Sequence, residues 1–177
     1  VARQDDHLAL WSTEKASKIA DLPGPVSFDT FSMAMAVSPD GNTVFFGDGP
    51  KIRSWDLRTH IELEPMSYPL GGWTTFLAVS PEGLLAAAHW NGHVTLWDSK
   101  TRQLLHTFED HLAWVSSVVF SPDGSHLASA SADQNIFLYE TMSRKLLRRF
   151  KGHEGEIWAL QFSPDGQWLV SGSTYDK

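Results

Sequence analysis

The chain has 177 residues, enough for one ordinary domain with its own core, and a net charge of −7 that argues against nucleic acid or an anionic membrane as the main partner. It contains no cysteine, which excludes disulfides and thiolate metal sites. No apolar run approaches the roughly 20 residues that a membrane-spanning helix needs. We expect a cytoplasmic protein that uses no metal or other cofactor.

Turn sequences recur at a regular interval along the chain. They read VSPDG, VSPEG, FSPDG and FSPDG, and their serines are Ser38, Ser80, Ser121 and Ser163. Proline presets φ in such a turn, the acidic residue bonds its own backbone, and glycine accepts a positive φ. A second marker recurs in parallel: an apolar segment that ends in Trp11, Trp55, Trp97 or Tyr139. Such a period predicts an array of units that bury their apolar faces against one another.

Each unit is predicted to contain four antiparallel strands, as its best example shows. An apolar run, SSVVFS, precedes the turn, and HLASAS follows it. The third segment, IFLYE, is rich in aromatic and β-branched residues, and the fourth, RKLLRRF, is more polar. Proline and glycine interrupt the chain too often for long helices. The fold class is therefore predicted to be all-β.

The stretch EDHLAWVSSVVFSPDGSHLASASADQNIFLYETMSRKLLRRFKGH, together with Trp-Asp pairs at residues 55–56 and 97–98, resembles the WD-repeat (WD40) β-propellers, and the resemblance covers essentially the whole chain. It implies a propeller of four-stranded antiparallel blades, with three complete blades and two complementary half-blades. The predicted bounds are 1–24 for strands three and four of a blade, 27–66, 72–109 and 113–151 for complete blades, and 155–177 for strands one and two of a blade.

The chain begins and stops at the same phase of the repeat, because Asp5 and Asp176 hold the same turn position, one near each end. The halves are therefore able to pair into one composite blade. A four-bladed ring from one chain, an eight-bladed ring from two chains, and an excerpt of a longer propeller all remain open. We expect the homodimer that closes an eight-bladed ring, with the hairpin Ile157–Ser173 paired to the partner's His7–Ala20 strands.

Two sets of residues look like Ser-His-Asp triads, which would need an exposed nucleophile and an oxyanion hole. The sets are His111, Ser129 or Ser131, and Asp133, and then His153, Ser171 or Ser173, and Asp176. The resemblance implies instead that such residues bond to the aromatic residue of the third strand and lock each blade. That aromatic position is held by Trp11, Trp55, Trp97 and Tyr139, which we expect in the core. We predict structural networks, no catalytic residues and no metal site.

Other aromatic residues have no such role in a core. Trp73 and Trp114 precede the innermost strand, and Trp90 and Tyr175 precede a turn. In WD-repeat proteins these positions face the rim of the central channel, where partners usually bind. The predicted partner-binding rim consists of Phe31, Met33, Trp73, Trp90, Trp114, Trp158 and Tyr175. The alternative is that these side chains pack on neighbouring blades.

The predicted function is a non-enzymatic scaffold that binds a protein or peptide. The alternative is a sensory or regulatory propeller module excised from a larger signalling enzyme, such as a nucleotide-binding switch protein or a kinase. Two histidines in HWNGH, His89 and His93, could share a metal, but no third ligand is evident. The basic run 144–151 is interpreted as a solvated sheet edge rather than a nucleic-acid contact.

Overall fold

The computed structural model describes residues 8–22 and 34–174, which form sixteen β-strands in five antiparallel sheets. Three sheets have four strands and two have two strands, so the predicted all-β class with three complete blades and two half-blades is confirmed. Within these residues no helix has the length and apolarity needed to cross a membrane.

Each sheet is a meander in which every strand pairs with the next one in the chain. The first half-blade consists of β1 (Leu8–Ser12) and β2 (Ser17–Leu22). The first complete blade consists of β3 (Met35–Val37), β4 (Thr43–Asp48), β5 (Lys51–Asp56) and β6 (Ile61–Ser67). The second consists of β7 (Thr74–Val79), β8 (Leu84–His89), β9 (Val94–Asp98) and β10 (Leu104–Phe108). The third consists of β11 (Val115–Phe120), β12 (His126–Ser131), β13 (Ile136–Glu140) and β14 (Leu146–Phe150). The last half-blade consists of β15 (Ile157–Phe162) and β16 (Leu169–Ser173).

The four Ser-Pro-Asp/Glu-Gly segments form the predicted turns between first and second strands. In each turn the glycine amide donates a hydrogen bond of 2.9 Å to the serine carbonyl. The four glycines have φ between 70° and 88°, a region that favours glycine. Where the third residue is aspartate, its carboxylate accepts a hydrogen bond of 2.5–2.6 Å from the serine hydroxyl. The turn is therefore determined by residues within the turn itself.

The apolar core lies between consecutive blades. Phe45 of the first blade shares a buried cluster with Leu77 and Trp97 of the second. Phe108 of the second blade likewise shares a cluster with Tyr139 of the third. Each blade therefore depends on its neighbour to remove its apolar face from water, as expected for a repeat array.

Hydroxyl groups of the inner strands also join neighbouring blades. Thr75 in β7 donates a hydrogen bond to the carbonyl of Val115 in β11. Ser116 in β11 donates to the carbonyl of Ile157 in β15. Side-chain hydroxyl groups thus connect three successive inner strands, β7, β11 and β15.

The predicted burial of Trp11 is wrong. Its side chain is 62% exposed, whereas Trp55 and Trp97 at the same repeat position are 1% and 3% exposed. A third-strand tryptophan is covered by the first two strands of its own blade and by the adjacent blade. Among the described strands β1 pairs only with β2, so Trp11 lacks that cover.

The basic run lies on β14, the outermost strand of the third blade, all of whose residues are exposed. Arg149 is engaged there: its Nε donates to Asn135 Oδ1 over 3.0 Å, and its guanidinium lies 5.6 Å from the centre of the Phe137 ring. The rest of the run faces solvent along a sheet edge, a place where charge discourages pairing with another strand.

Candidate functional site

A buried polar network joins the loops and strands of the third blade. His111 precedes β11, and its Nδ1 lies 3.0 Å from Asp133 Oδ2, while its Nε2 lies 2.8 Å from Ser129 Oγ. Asp133 Oδ2 also accepts a hydrogen bond of 2.9 Å from the amide of Leu112. Ser131 Oγ donates to the carbonyl of Trp114 over 2.9 Å. The network ties the segment before β11 to the loop between β12 and β13.

Tyr139 extends this network on the third strand. Its hydroxyl donates to Asp110 Oδ2 over 3.1 Å. Burial raises the pKa of Tyr139, so the phenol stays protonated and remains a donor. Ser129 and Ser131 are fully buried, and each hydroxyl is hydrogen-bonded within the blade. A substrate has no access to either serine, and this geometry fits the structural interpretation of the set.

The last half-blade repeats part of the set. His153 Nε2 lies 2.7 Å from Ser171 Oγ, the counterpart of the contact between His111 and Ser129. Ser173 is the final residue of β16, and Asp176 lies outside the described residues.

In the first complete blade Trp55 is buried, and its Nε1 has no hydrogen-bond partner among the described residues.

We expect the free energy of unfolding to fall as the pH decreases below about 4, and Asp133→Asn to make this dependence shallower. Burial raises the pKa of Asp133, but hydrogen bonds from His111 and the Leu112 amide outweigh burial and hold that pKa well below its ordinary value of 3.8. The contribution of Asp133 is therefore present above pH 3.8 and is lost as the pH falls below it.

Urea unfolding at a series of pH values measures this dependence. It will not become flat in the variant, because hydrogen bonds from neighbouring serines lower the pKa values of Asp40 and Asp123 to about 2 as well. Parallel curves for the native chain and Asp133→Asn would show that the Asp133 carboxylate does not stabilise the fold.

The second blade contains a network that sequence analysis missed. Its second strand ends in His89, whose Nε2 lies 2.8 Å from Thr95 Oγ1, and that hydroxyl also accepts a hydrogen bond of 2.8 Å from Trp97 Nε1. Tyr68 stacks on His89 at 4.8 Å between ring centres and hydrogen-bonds His93 Nδ1 over 2.6 Å. In this blade a histidine of the second strand therefore contacts the hydroxyl that also binds the third-strand tryptophan.

The two histidines that suggested a metal are thus both members of this network. Burial lowers the pKa of His89 to about 4, so its imidazole is neutral at pH 7. In residues 8–22 and 34–174, no group of three histidine or carboxylate side chains is arranged to hold a metal ion. The signal available in the sequence was a histidine after five apolar residues of a buried strand, a position where a polar group needs a partner.

Three of the predicted rim residues contact one another. The rings of Trp90 and Trp114 stack, with centres 5.2 Å apart and planes at 12°. The rings of Trp114 and Trp158 meet edge to face, with centres 4.7 Å apart. Trp90 is 47% exposed and Trp158 is 52% exposed. We call Trp90, Trp114 and Trp158 the tryptophan cluster.

Gly92 allows this contact between blades. Its φ is 89°, and a Cβ atom there would lie 2.9 Å from the carbonyl oxygen of His111. Only glycine permits the loop between β8 and β9 to approach the segment before β11 so closely. That approach places Trp90 beside Trp114, so the cluster spans three successive units of the repeat.

The other predicted rim residues are not all described. Trp73 is 44% exposed, and its carbonyl accepts a hydrogen bond of 2.8 Å from the amide of Trp90. Phe31, Met33 and Tyr175 lie outside the described residues. Leu112, which was not predicted, precedes Trp114 by two residues and is 88% exposed. Exposed apolar side chains therefore continue beyond the three tryptophans.

Comparisons with known proteins agree with the blade fold. The profile of the family described as "WD domain, G-beta repeat" matches residues 102–140 and 144–177. A search of curated proteins gives no match. Among solved structures, the chain superposes on "Crystal Structure of Mitotic Checkpoint Complex" with a TM-score of 0.84 and 18% identity, over 94% of this chain and 51% of that one.

Two further solved structures are similar. "Crystal structure of RRP9 WD40 repeats" has a TM-score of 0.71, with 23% identity over 78% of this chain and 43% of that one. "Structure of U3-55K" has a TM-score of 0.70, with 23% identity over 78% of this chain and 44% of that one. This chain thus spans about half the length of these proteins or less. The resemblance to WD-repeat propellers is confirmed: residues 102–140 and 144–177 are WD40 repeats, and the chain has the blade fold of these solved structures.

Proposed function

We propose that the chain is a non-catalytic scaffold that binds a protein or peptide on the face carrying the tryptophan cluster. WD40 repeat domains are typically protein-interaction scaffolds. The observation that carries the proposal is the contact of three tryptophans whose outer two members remain about half exposed. Large aromatic side chains that are grouped and accessible are the usual source of binding energy at interfaces.

The burial of the candidate nucleophiles supports the non-catalytic part of the proposal. Ser129 Oγ contacts His111, as a nucleophile would contact its base, but both side chains lie inside the blade. A serine nucleophile must reach a carbonyl group and an oxyanion hole at the surface. The same pair of residue types recurs in the last half-blade as His153 and Ser171, which favours a role in holding the repeat together.

We expect Trp158→Ala to weaken the binding of a peptide ligand by about 2 kcal/mol or more, the loss typical of a binding hot spot. A ligand is first selected by displaying a random peptide library against the whole chain, and its affinity is then measured by titration calorimetry. Trp168→Ala is the matched control, because Trp168 is 69% exposed but makes no ring contact with the cluster. Equal losses of affinity in the two variants would exclude the cluster as the binding face.

We also propose that β1 and β2 of one copy complete the last half-blade of a second copy, which closes an eight-bladed ring. Beside β16 lies a cavity of about 440 Å³, lined by residues that include Ile136, Phe150, Leu169 and Ser171. Ser171 is the counterpart of Ser129, which lies beside a third-strand aromatic residue in the complete blade. Trp11 lies in β1, which corresponds to the third strand of a complete blade, and its side chain is exposed.

Light scattering over a range of protein concentrations tests this assembly. We expect the mass of a dimer, and a shift towards the monomer in Trp11→Ala but not in Leu112→Ala, because Leu112 is 88% exposed and lies away from β16 in the segment before β11. A monomer whose β16 amides are protected from hydrogen exchange would show that the same copy completes the blade. Polydisperse aggregates would show that strands other than those of a second copy are required.

A further inference from the structure

We propose that the tryptophan cluster binds a segment with arginine or lysine side chains, so that the partner is a basic peptide or a basic region of a protein. This inference rests on the proposed function, because it assigns the chemical class of the ligand to the same face. Three observations support the inference. They are the acidic charge of the segments next to the cluster in the chain, the exposure and relative orientation of the indole rings, and two contacts elsewhere in the fold between an arginine and an aromatic ring.

The segments that precede β11 and β15 are acidic. They carry four exposed carboxylates and one exposed ammonium: Glu109, Asp110, Glu154 and Glu156 against Lys151. Trp114 lies within the first of these segments, and Trp158 follows the second by two residues. A cationic partner is therefore attracted to this face, and an acidic partner is repelled.

The cluster is partly open to solvent and does not form a closed apolar core. The planes of Trp114 and Trp158 meet at 63°, so their faces point in different directions, and about half of Trp158 is accessible. The face of an indole ring is the negative side of its quadrupole and attracts a cation within about 6 Å. A guanidinium is planar and weakly hydrated, which suits it to such a face.

The same protein already makes this kind of contact twice within its own fold. The guanidinium of Arg53 lies 4.9 Å from the centre of the Trp55 ring, and that of Arg149 lies 5.6 Å from the Phe137 ring. In each case a polar partner also fixes the cation: Glu62 accepts two hydrogen bonds from Arg53, and Asn135 accepts one from Arg149. At the tryptophan cluster, exposed carboxylates lie close to Trp114 and Trp158 in the chain, and the partner would supply the cation.

The probe is a short fluorescent peptide of alternating arginine and alanine, and binding to the whole chain is followed by fluorescence anisotropy. A matched peptide contains citrulline in place of arginine, which removes the charge and keeps the planar end group. We expect saturable binding of the arginine peptide that weakens with added salt, and an affinity for the citrulline peptide that is lower by about fivefold or more.

Variants of the protein locate the binding face. Glu156→Gln should weaken the arginine peptide by about two- to fivefold, and Trp158→Ala by about fivefold or more. Glu140→Gln and Trp168→Ala are the controls, since Glu140 ends β13 at the opposite end of the blade and Trp168 lies outside the cluster. Both controls should keep the native affinity, and thermal unfolding confirms that all four variants are folded.

Each other outcome overturns the inference in a recognisable way. Equal affinity for the arginine and citrulline peptides, with loss of both in Trp158→Ala, excludes cation recognition and leaves the proposed function standing. Cation recognition is also excluded if the arginine peptide does not bind while a display-selected peptide of different composition binds in a way that depends on Trp158. The proposed function again stands in that case. If no peptide of any composition depends on Trp158, the proposed function fails as well.

Discussion

Trp97→Ala is expected to lower the free energy of unfolding by about 3–5 kcal/mol, the cost of replacing a buried tryptophan with alanine. Trp97 lies in the cluster that joins the first and second blades, with Phe45, Leu77 and Leu85 among its neighbours. Its loss removes dispersion contacts from two blades and leaves a cavity between them. It also removes the Nε1 donor that bonds Thr95 Oγ1. Urea unfolding followed by circular dichroism measures the change.

Trp11→Ala is the matched control, because it removes the same residue type from the same repeat position. We expect a change within about 0.5 kcal/mol in the monomer, as for other exposed sites. If Trp11→Ala instead costs as much as Trp97→Ala, Trp11 is buried in the assembled protein. A concentration dependence of that cost would then support the pairing of β1 with a second copy.

His111→Ala is expected to destabilise the chain by about 3 kcal/mol, because it leaves the Asp133 carboxylate without its side-chain hydrogen-bond partner in a buried site. The side chains of His111 and Asp133 are only 1% and 7% exposed. The substitution also removes the contact of His111 Nε2 with Ser129 Oγ, which is buried in the same blade. The Leu112 amide alone remains to satisfy the Asp133 Oδ2 atom that His111 contacted.

A double-mutant cycle separates this pair from simple loss of packing. His111→Ala combined with Asp133→Ala should cost less than the sum of the two single changes, because the second change removes the group that the first left unsatisfied. His126→Ala is a useful comparison, since His126 is only half-buried and its Nδ1 contacts the adjacent Ser125 hydroxyl. Strict additivity at His111 and Asp133 would show that the two side chains act independently.

Local chemistry in the sequence determined the repeating strands and turns. The Ser-Pro-Asp/Glu-Gly turns are closed by bonds among their own residues, so no distant part of the chain is needed to form them. The set around His111 was implied by the resemblance to WD-repeat propellers, and its members lie within one repeat. The two complete blades that carry Trp55 and Trp97 bury these residues as the repeat pattern predicted.

Only the tertiary structure decided which residues at the same repeat position are buried and which are exposed. Trp11 and Trp97 share a repeat position, but only Trp97 is covered by a complete blade and its neighbour. The stacking of Trp90 on Trp114 likewise depends on how closely the loop at Gly92 approaches the carbonyl of His111. Turn formation is a property of four adjacent residues, whereas burial and ring contacts depend on which sheet packs against which, and residues tens of positions apart control that packing.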